Sequence, residues 1–126
     1  MKISASGQDY LEAILELYLD KGQIRSVDIS EKLGVTRPSV NRAINILKSY
    51  GHITHEKYSD IKLTDQGMRL AKAVKSRHIV LKRFLNEVLL VDEAIADEDA
   101  CKMEHNISLE TLEKLQNFVD EYLKDS

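Results

Sequence analysis

The stretch "RSVDISEKLGVTRPSVNRAINILKSYG", residues 25–51, carries two helical patterns separated by a single glycine. A short helix is expected over Val27–Leu33, a turn at Gly34, and a second helix from Thr36. Thr36 suits an N-cap, because its hydroxyl can accept a backbone N–H of the first turn. Pro38 falls in that first turn, where its missing N–H costs nothing. Val40, Ala43, Ile44 and Leu47 then recur at i, i+3, i+4 and i+7, the spacing of one buried face, and Gly51 is a C-cap candidate. Arg37, Pro38, Ser39, Asn41, Arg42 and Asn45 fall mainly off that stripe. Two helices joined by a short glycine-containing turn form the helix-turn-helix pattern, whose second helix enters the major groove of DNA.

The residues that follow extend the pattern. In "HITHEKYSDIKLTDQG", residues 52–67, Ile53 and then Ile61 and Leu63 flank a turn at Ser59-Asp60, which reads as a short β-hairpin or wing. Lys57 and Lys62 on it are placed to meet phosphates, contacts that position a protein without reading bases. His52 and His55 have no partners at ligand spacing and are taken as surface or packing residues.

Composition agrees with a mainly α protein. One proline, five glycines and no tryptophan among 126 residues argue against a turn-rich β-sandwich. The single cysteine excludes an internal disulfide, and the amino terminus lacks the apolar run of a signal peptide, so the expected location is cytoplasmic. The net charge of −3 conceals an uneven distribution. Residues 21–91 carry 14 bases against 6 acids, and residues 92–126 carry 3 against 11. A basic middle suits a polyanion, and an acidic tail confines that partner to part of the molecule.

That acidic tail includes "DEDACKMEHNIS", residues 97–108, with the lone cysteine. Read as helix, Cys101, Glu104 and His105 stand at i, i+3 and i+4 and project from one side. Ala96, Ala100, Met103 and Ile107 are the expected apolar stripe, with Asp97, Cys101, Glu104 and His105 opposite it. Free cysteine prefers burial, so a cysteine among Glu and His points to a thiolate ligand, with an incidental surface thiol as the alternative. Further ligands would have to come from elsewhere. The first helix has an apolar stripe of Leu11, Ile14, Leu15 and Tyr18, beside which lie Asp9, Glu12 and Glu16; taken alone, these acids are ordinary solvated decoration. A fourth helix begins near Thr64 with a stripe of Ala71, Val74, His78, Leu81, Leu85 and Val88, in which His78 stands where an apolar residue is expected. A lone histidine there is more often a satisfied core residue than a ligand.

Taken in order, these motifs resemble the metal-dependent transcriptional repressors of the diphtheria toxin repressor and manganese transport regulator type. The opening "DYLEAI", the "PSV" of the helix-turn-helix, the wing ending "LTDQG", the "RH" of the linking helix and "CKMEH" occur in that family's order and spacing, over nearly the whole chain. The resemblance implies a winged-helix DNA-binding domain over residues 1–70 and a helical metal-binding and dimerisation domain over residues 71–126. It also implies divalent Fe(II) or Mn(II) held by Asp9, Glu12, His78, Cys101, Glu104 and His105, and a homodimer on operator DNA that controls metal-uptake genes. In one branch the position of Asp9 is a methionine while the cysteine is shared; in the other the acids are matched but Cys101 is a glutamate. The ligand set is therefore a hybrid of the two. Lys82 replaces an acid of the first branch's ancillary site. The chain stops where longer members continue into an SH3-like domain, so a two-domain form is expected. Amphipathic helices from about Asp92 to Leu123, with Leu109, Leu112, Leu115, Phe118, Val119 and Tyr122, are candidates for the dimer surface.

Three other readings stay open. A hydrolytic metalloenzyme lacks an H-E-x-x-H motif and a general base outside the ligand set, so no enzyme activity is expected. A winged-helix regulator could instead sense oxidants through Cys101. A module that contacts only protein is the third.

Overall fold

The computed structural model describes residues 3–56 and 59–124. Six helices, α1 (Ala5–Lys21), α2 (Ser26–Leu33), α3 (Arg37–Ser49), α4 (Asp65–Arg83), α5 (Glu93–Met103) and α6 (Leu109–Lys124), occur with a two-stranded antiparallel ribbon of β1 (Ile53–Thr54) and β2 (Lys62–Leu63). Ile53 pairs with Leu63 and Thr54 with Lys62. The chain divides into two compact units, Met1–Lys72 and Ala73–Ser126.

In the first unit, Leu11, Ile14, Leu15, Ile24, Ile29, Val40, Leu47, Ile53 and Ile61 form a core with at most 2% exposure. Each such side chain contributes about 1.5–3 kcal/mol through burial. Backbone punctuation sets the helix ends around it. Ser4 Oγ accepts the Gly7 N–H at the start of α1, and Gly22, at φ 74°, ends that helix. Gly34, at φ 65°, closes α2 and leaves two residues before α3, which opens with Thr36 Oγ1 accepting the Ser39 N–H at 3.3 Å. At the far end of α3 the Gly51 N–H donates to the Lys48 carbonyl and the His52 N–H to the Leu47 carbonyl, with Gly51 at φ 81°. This is a Schellman motif, in which positive φ favours glycine. Tyr18, expected on the buried stripe of α1, is instead 46% exposed; Tyr10, Ala13 and Leu17 are buried in addition to Leu11, Ile14 and Leu15.

The ribbon is tied to the start of α4. Thr64 Oγ1 donates to the Gly51 carbonyl at 2.7 Å and accepts the Gly67 N–H at 3.0 Å, while the Thr64 N–H donates to the His52 carbonyl. A Cβ at position 67 would clash with that same carbonyl, so the motif "LTDQG" is accounted for by a helix cap and a close backbone approach.

In the second unit, Val80, Leu81, Ala100 and Leu112 form the core, with Leu85, Ile107 and Leu115 packed against it. The periodicity of α4 predicts a helix that continues evenly through Val88, but Phe84–Val88 forms a π-helical turn, followed by Leu90 at φ 62°. The Asn86 amide donates to the Val91 carbonyl at 2.9 Å and the Val91 N–H to the Leu85 carbonyl at 2.8 Å, holding the chain as it leaves the turn. No described helix is long and apolar enough to cross a membrane.

Candidate metal centre and nucleic-acid interface

The DNA-reading candidates follow from the phase of α3. With Val40, Ile44 and Leu47 buried, Arg37, Pro38, Asn41, Arg42 and Asn45 are left exposed, and Ser39 half-buried. Ser39 Oγ accepts from the Thr36 hydroxyl at 2.9 Å and from Arg42 Nη2 at 3.3 Å, so the capping residue also orients a guanidinium. Lys62 is exposed on β2; Lys57 lies outside the described residues. His52 is a packing residue: it is buried, stacks on Tyr50 with ring centroids 6.3 Å apart, and burial holds its pKa below the usual 6.5.

In the second unit the candidate ligands converge. Cys101 Sγ, a Glu104 carboxylate oxygen and a His105 ring nitrogen lie within 4.8 Å of one another. His78, on α4, places Nδ1 3.2 Å from Glu104 Oε2, and His105 Nε2 is 3.4 Å from Glu104 Oε1. α5 ends at Met103, one residue before Glu104. The Glu104 N–H still donates to the Ala100 carbonyl, which keeps the carboxylate in helical phase, while His105 lies in the turn that follows.

The expected stripe of α5 is corrected here. Ala96 and Ala100 are fully buried, but the third member of their face is Glu104, also fully buried, and Met103 is 40% exposed. Residues 96, 100 and 104 share a face at i, i+4 and i+8, and two alanines leave space that a carboxylate can enter. Hydropathy alone favours methionine for that place, so the reversal has a cause other than packing.

Burying a carboxylate is costly unless it is paired. Glu104 Oε1 is buried without a hydrogen-bond partner among the described residues, although an imidazole nitrogen stands nearby. A divalent cation would satisfy that oxygen. One thiol, two imidazoles and a carboxylate form a donor set suited to a transition metal rather than to Mg²⁺ or Ca²⁺. Asp9 and Glu12 lie on α1 in the first unit, both half-buried.

Two further residues, Asp97 and Lys82, are attached to this cluster. Asp97 Oδ1 is 2.7 Å from His78 Nε2, and Lys82 Nζ is 3.6 Å from Asp97 Oδ1 and 3.5 Å from Glu93 Oε1. The hydrogen bond with His78 holds the Asp97 carboxyl below its ordinary range, helped by the charges of His78 and Lys82 and opposed by partial desolvation. A signal for Asp97 was available in the sequence, since it precedes Cys101 by one helical repeat and His105 by two on the same face.

Both halves of the chain match known domain families. Residues 2–61 match the N-terminal DNA binding domain of the iron dependent repressors, and residues 64–126 match their metal binding and dimerisation domain. An uncharacterized HTH-type transcriptional regulator of Methanocaldococcus jannaschii is 34% identical over 121 residues, covering 95% of this chain and 97% of the relative. The transcriptional regulator MntR of Salmonella typhimurium is 37% identical over 114 residues, 90% of this chain and 72% of that protein. The structure of the manganese regulator SloR superposes with a TM-score of 0.82 at 28% identity, covering 90% of this chain and 53% of SloR. The chain spans about half the length of SloR and of two further solved regulators it matches, T. acidophilum IdeR and MtsR. With a DNA-binding domain followed by a metal-binding and dimerisation domain, the chain belongs to the iron-dependent repressor family of metal-dependent transcriptional regulators.

Proposed function

We propose that this regulator represses metal-uptake genes when Fe(II) or Mn(II) is abundant, binding operator DNA as a homodimer. The observation that carries the metal reading is Glu104, a fully buried carboxylate flanked by Cys101, His105 and His78. In this reading residues 1–70 are the DNA-binding half and residues 71–126 the metal-binding and dimerisation half. Cys101, Glu104, His105 and His78 hold the ion, and Asp9 and Glu12 of α1 complete the set with hard oxygen donors.

When bound, the metal supplies positive charge that offsets the mutual repulsion of the carboxylates and the thiolate. Asp9 and Glu12 then tie α1, and with it the DNA-binding half, to the ligands of α4 and α5. That raises the population in which two α3 helices address successive major grooves. Arg37, Pro38, Ser39, Asn41 and Arg42 meet bases and nearby phosphates, and Lys57 and Lys62 meet phosphates alone. The exposed Leu109, Phe118 and Tyr122 of α6 give the homodimer an apolar surface to cover.

The test is anaerobic DNA binding measured against Mn(II), Fe(II), Co(II) and Zn(II), with a chelator control. Tight binding that requires one of these ions and ignores diamide is expected. Binding that is independent of metal and abolished by diamide would replace this reading with oxidant sensing at Cys101.

A further inference from the structure

We infer that Asp97, itself steadied by Lys82, is a positioning residue that holds the His78 ring so that Nδ1, not Nε2, faces the metal centre. The inference deepens the proposed function and rests on it. His78 stands between two carboxylates: Nε2 is 2.7 Å from Asp97 Oδ1 and Nδ1 is 3.2 Å from Glu104 Oε2. The two contacts differ in kind. Glu104 is fully buried and its carboxylate lies within 4.8 Å of the Cys101 and His105 donor atoms, whereas the Asp97 side chain is 56% exposed.

A neutral imidazole has one N–H and one lone pair, and the acceptor beside one nitrogen decides which is which. The short contact keeps an N–H on Nε2, donating to Asp97. A metal at this centre would then take the Nδ1 lone pair, on the side where Glu104 Oε2 lies, so the imidazole and the carboxylate would approach one cation from different elements. Lys82 supports this arrangement from the far side. Its ammonium lies 3.6 Å from Asp97 and 3.5 Å from Glu93, so Asp97 has a cation beside it and an N–H to accept. A carboxylate that accepts the second N–H of a ligating histidine fixes its tautomer and raises its basicity, and losing such a partner costs metal affinity about 10–100-fold.

The experiment uses the full chain with Zn(II) and Co(II) as probes. In the Zn(II)-loaded protein, labelled with ¹⁵N-histidine, ring-nitrogen shifts identify which His78 nitrogen binds metal, and solvent exchange of the remaining N–H reports its hydrogen bond. Co(II) titration followed by its visible spectrum gives the affinity. Wild type should bind through Nδ1 with a slowly exchanging Nε2–H. Asp97→Ala should bind Co(II) about 10–100-fold more weakly and exchange that proton faster, with an unfolding midpoint in the metal-free state close to wild type. Asp97→Asn, which keeps an acceptor oxygen, should fall between the two, and Lys82→Met should shift both readouts in the direction of Asp97→Ala, by less.

Ligation of wild type through Nε2 would overturn the assignment, because that nitrogen would then belong to the metal. Unchanged affinity and exchange in Asp97→Ala, with Nδ1 still ligated, would overturn the positioning role and leave the metal reading standing. Metal bound without any engagement of His78 would remove His78 from the proposed centre, and the role of Asp97 with it.

Discussion

Gly67 and His52 are in backbone contact: the carbonyl of His52 occupies the place where a Cβ on residue 67 would stand. Glycine is ordinarily a poor choice inside a helix, and replacing it with alanine gains up to about 1 kcal/mol where there is room. Here there is none, and the carbonyl also accepts the Thr64 N–H, so it cannot retreat freely. Gly67→Ala should therefore destabilise the protein, by about 1–3 kcal/mol, as overpacking does. Urea unfolding decides the sign; a stabilised variant would mean that the ribbon yields easily.

Arg37→Ala and Arg42→Ala should each weaken operator binding by about 1–3 kcal/mol if the side chain meets a base edge. Both arginines are exposed, so unfolding midpoints and Co(II) affinity should remain at wild-type values. Fluorescence anisotropy with labelled operator, in saturating metal, measures the loss. Normal affinity in the double variant would move the DNA surface away from α3.

Glu104→Gln separates function from stability. The amide can still hydrogen-bond His78, and Asp97 remains beside that ring, so metal-free stability should stay within about 1 kcal/mol of wild type. Metal should no longer stabilise it. For wild type at 100 times its Kd, bound metal adds about 2.7 kcal/mol, which calorimetry registers as a raised Tm. A variant whose Tm still rises with metal would show that Glu104 is not a ligand.

In the proposed centre, Cys101 biases which metal activates. Thiolate favours Fe(II), Co(II) or Zn(II) over Mn(II), while the carboxylates favour the harder ion. Cys101→Glu should retain metal-dependent DNA binding and shift activation toward Mn(II), whereas Cys101→Ala should weaken activation by every metal. Parallel anaerobic activation curves test both, and a wild-type response from Cys101→Ala would remove the thiol from the ligand set.

His52 predicts a dependence on pH. Burial lowers its folded-state pKa below 6.5. As pH falls through about 6.5 the unfolded chain takes up a proton that the folded protein resists, so the unfolded state binds more protons and stability declines. Comparing urea unfolding at pH 7.5 and 5.5, His52→Gln should lose less stability than wild type on acidification. Equal losses would assign the dependence to other groups.

The helix-turn-helix was legible because its signals are local. Thr36, Pro38, Gly34 and Gly51 each act through the backbone within a few residues, and the buried phase of α3 follows from Val40, Ile44 and Leu47. The wing was legible from Ile53 and Leu63, which pair in the ribbon, whereas Ile61 lies just outside it with its N–H on the Ile24 carbonyl. The second unit was read less well. Glu104 is buried where hydropathy placed Met103, because a carboxylate's burial depends on partners that periodicity does not register. Asp97 was placed on the side of Cys101 and His105 but given no role, because its partner, His78, is on another helix. Tyr18 was assigned to the core from spacing, although its exposed neighbours Leu19 and Asp20 mark the point where α1 leaves it.

The π turn at Phe84–Val88 has a bearing on ancestry. A π-helical turn accommodates one residue more than an α-helix does over the same rise, and such turns commonly sit inside or at the end of otherwise regular helices. A one-residue deletion within this segment could relax it to α geometry while the helix before it kept its path. Chains descended from a common ancestor can therefore differ by a single codon here at little cost. A one-residue gap between relatives of unequal length is expected among Phe84–Val88 rather than in the turn that follows.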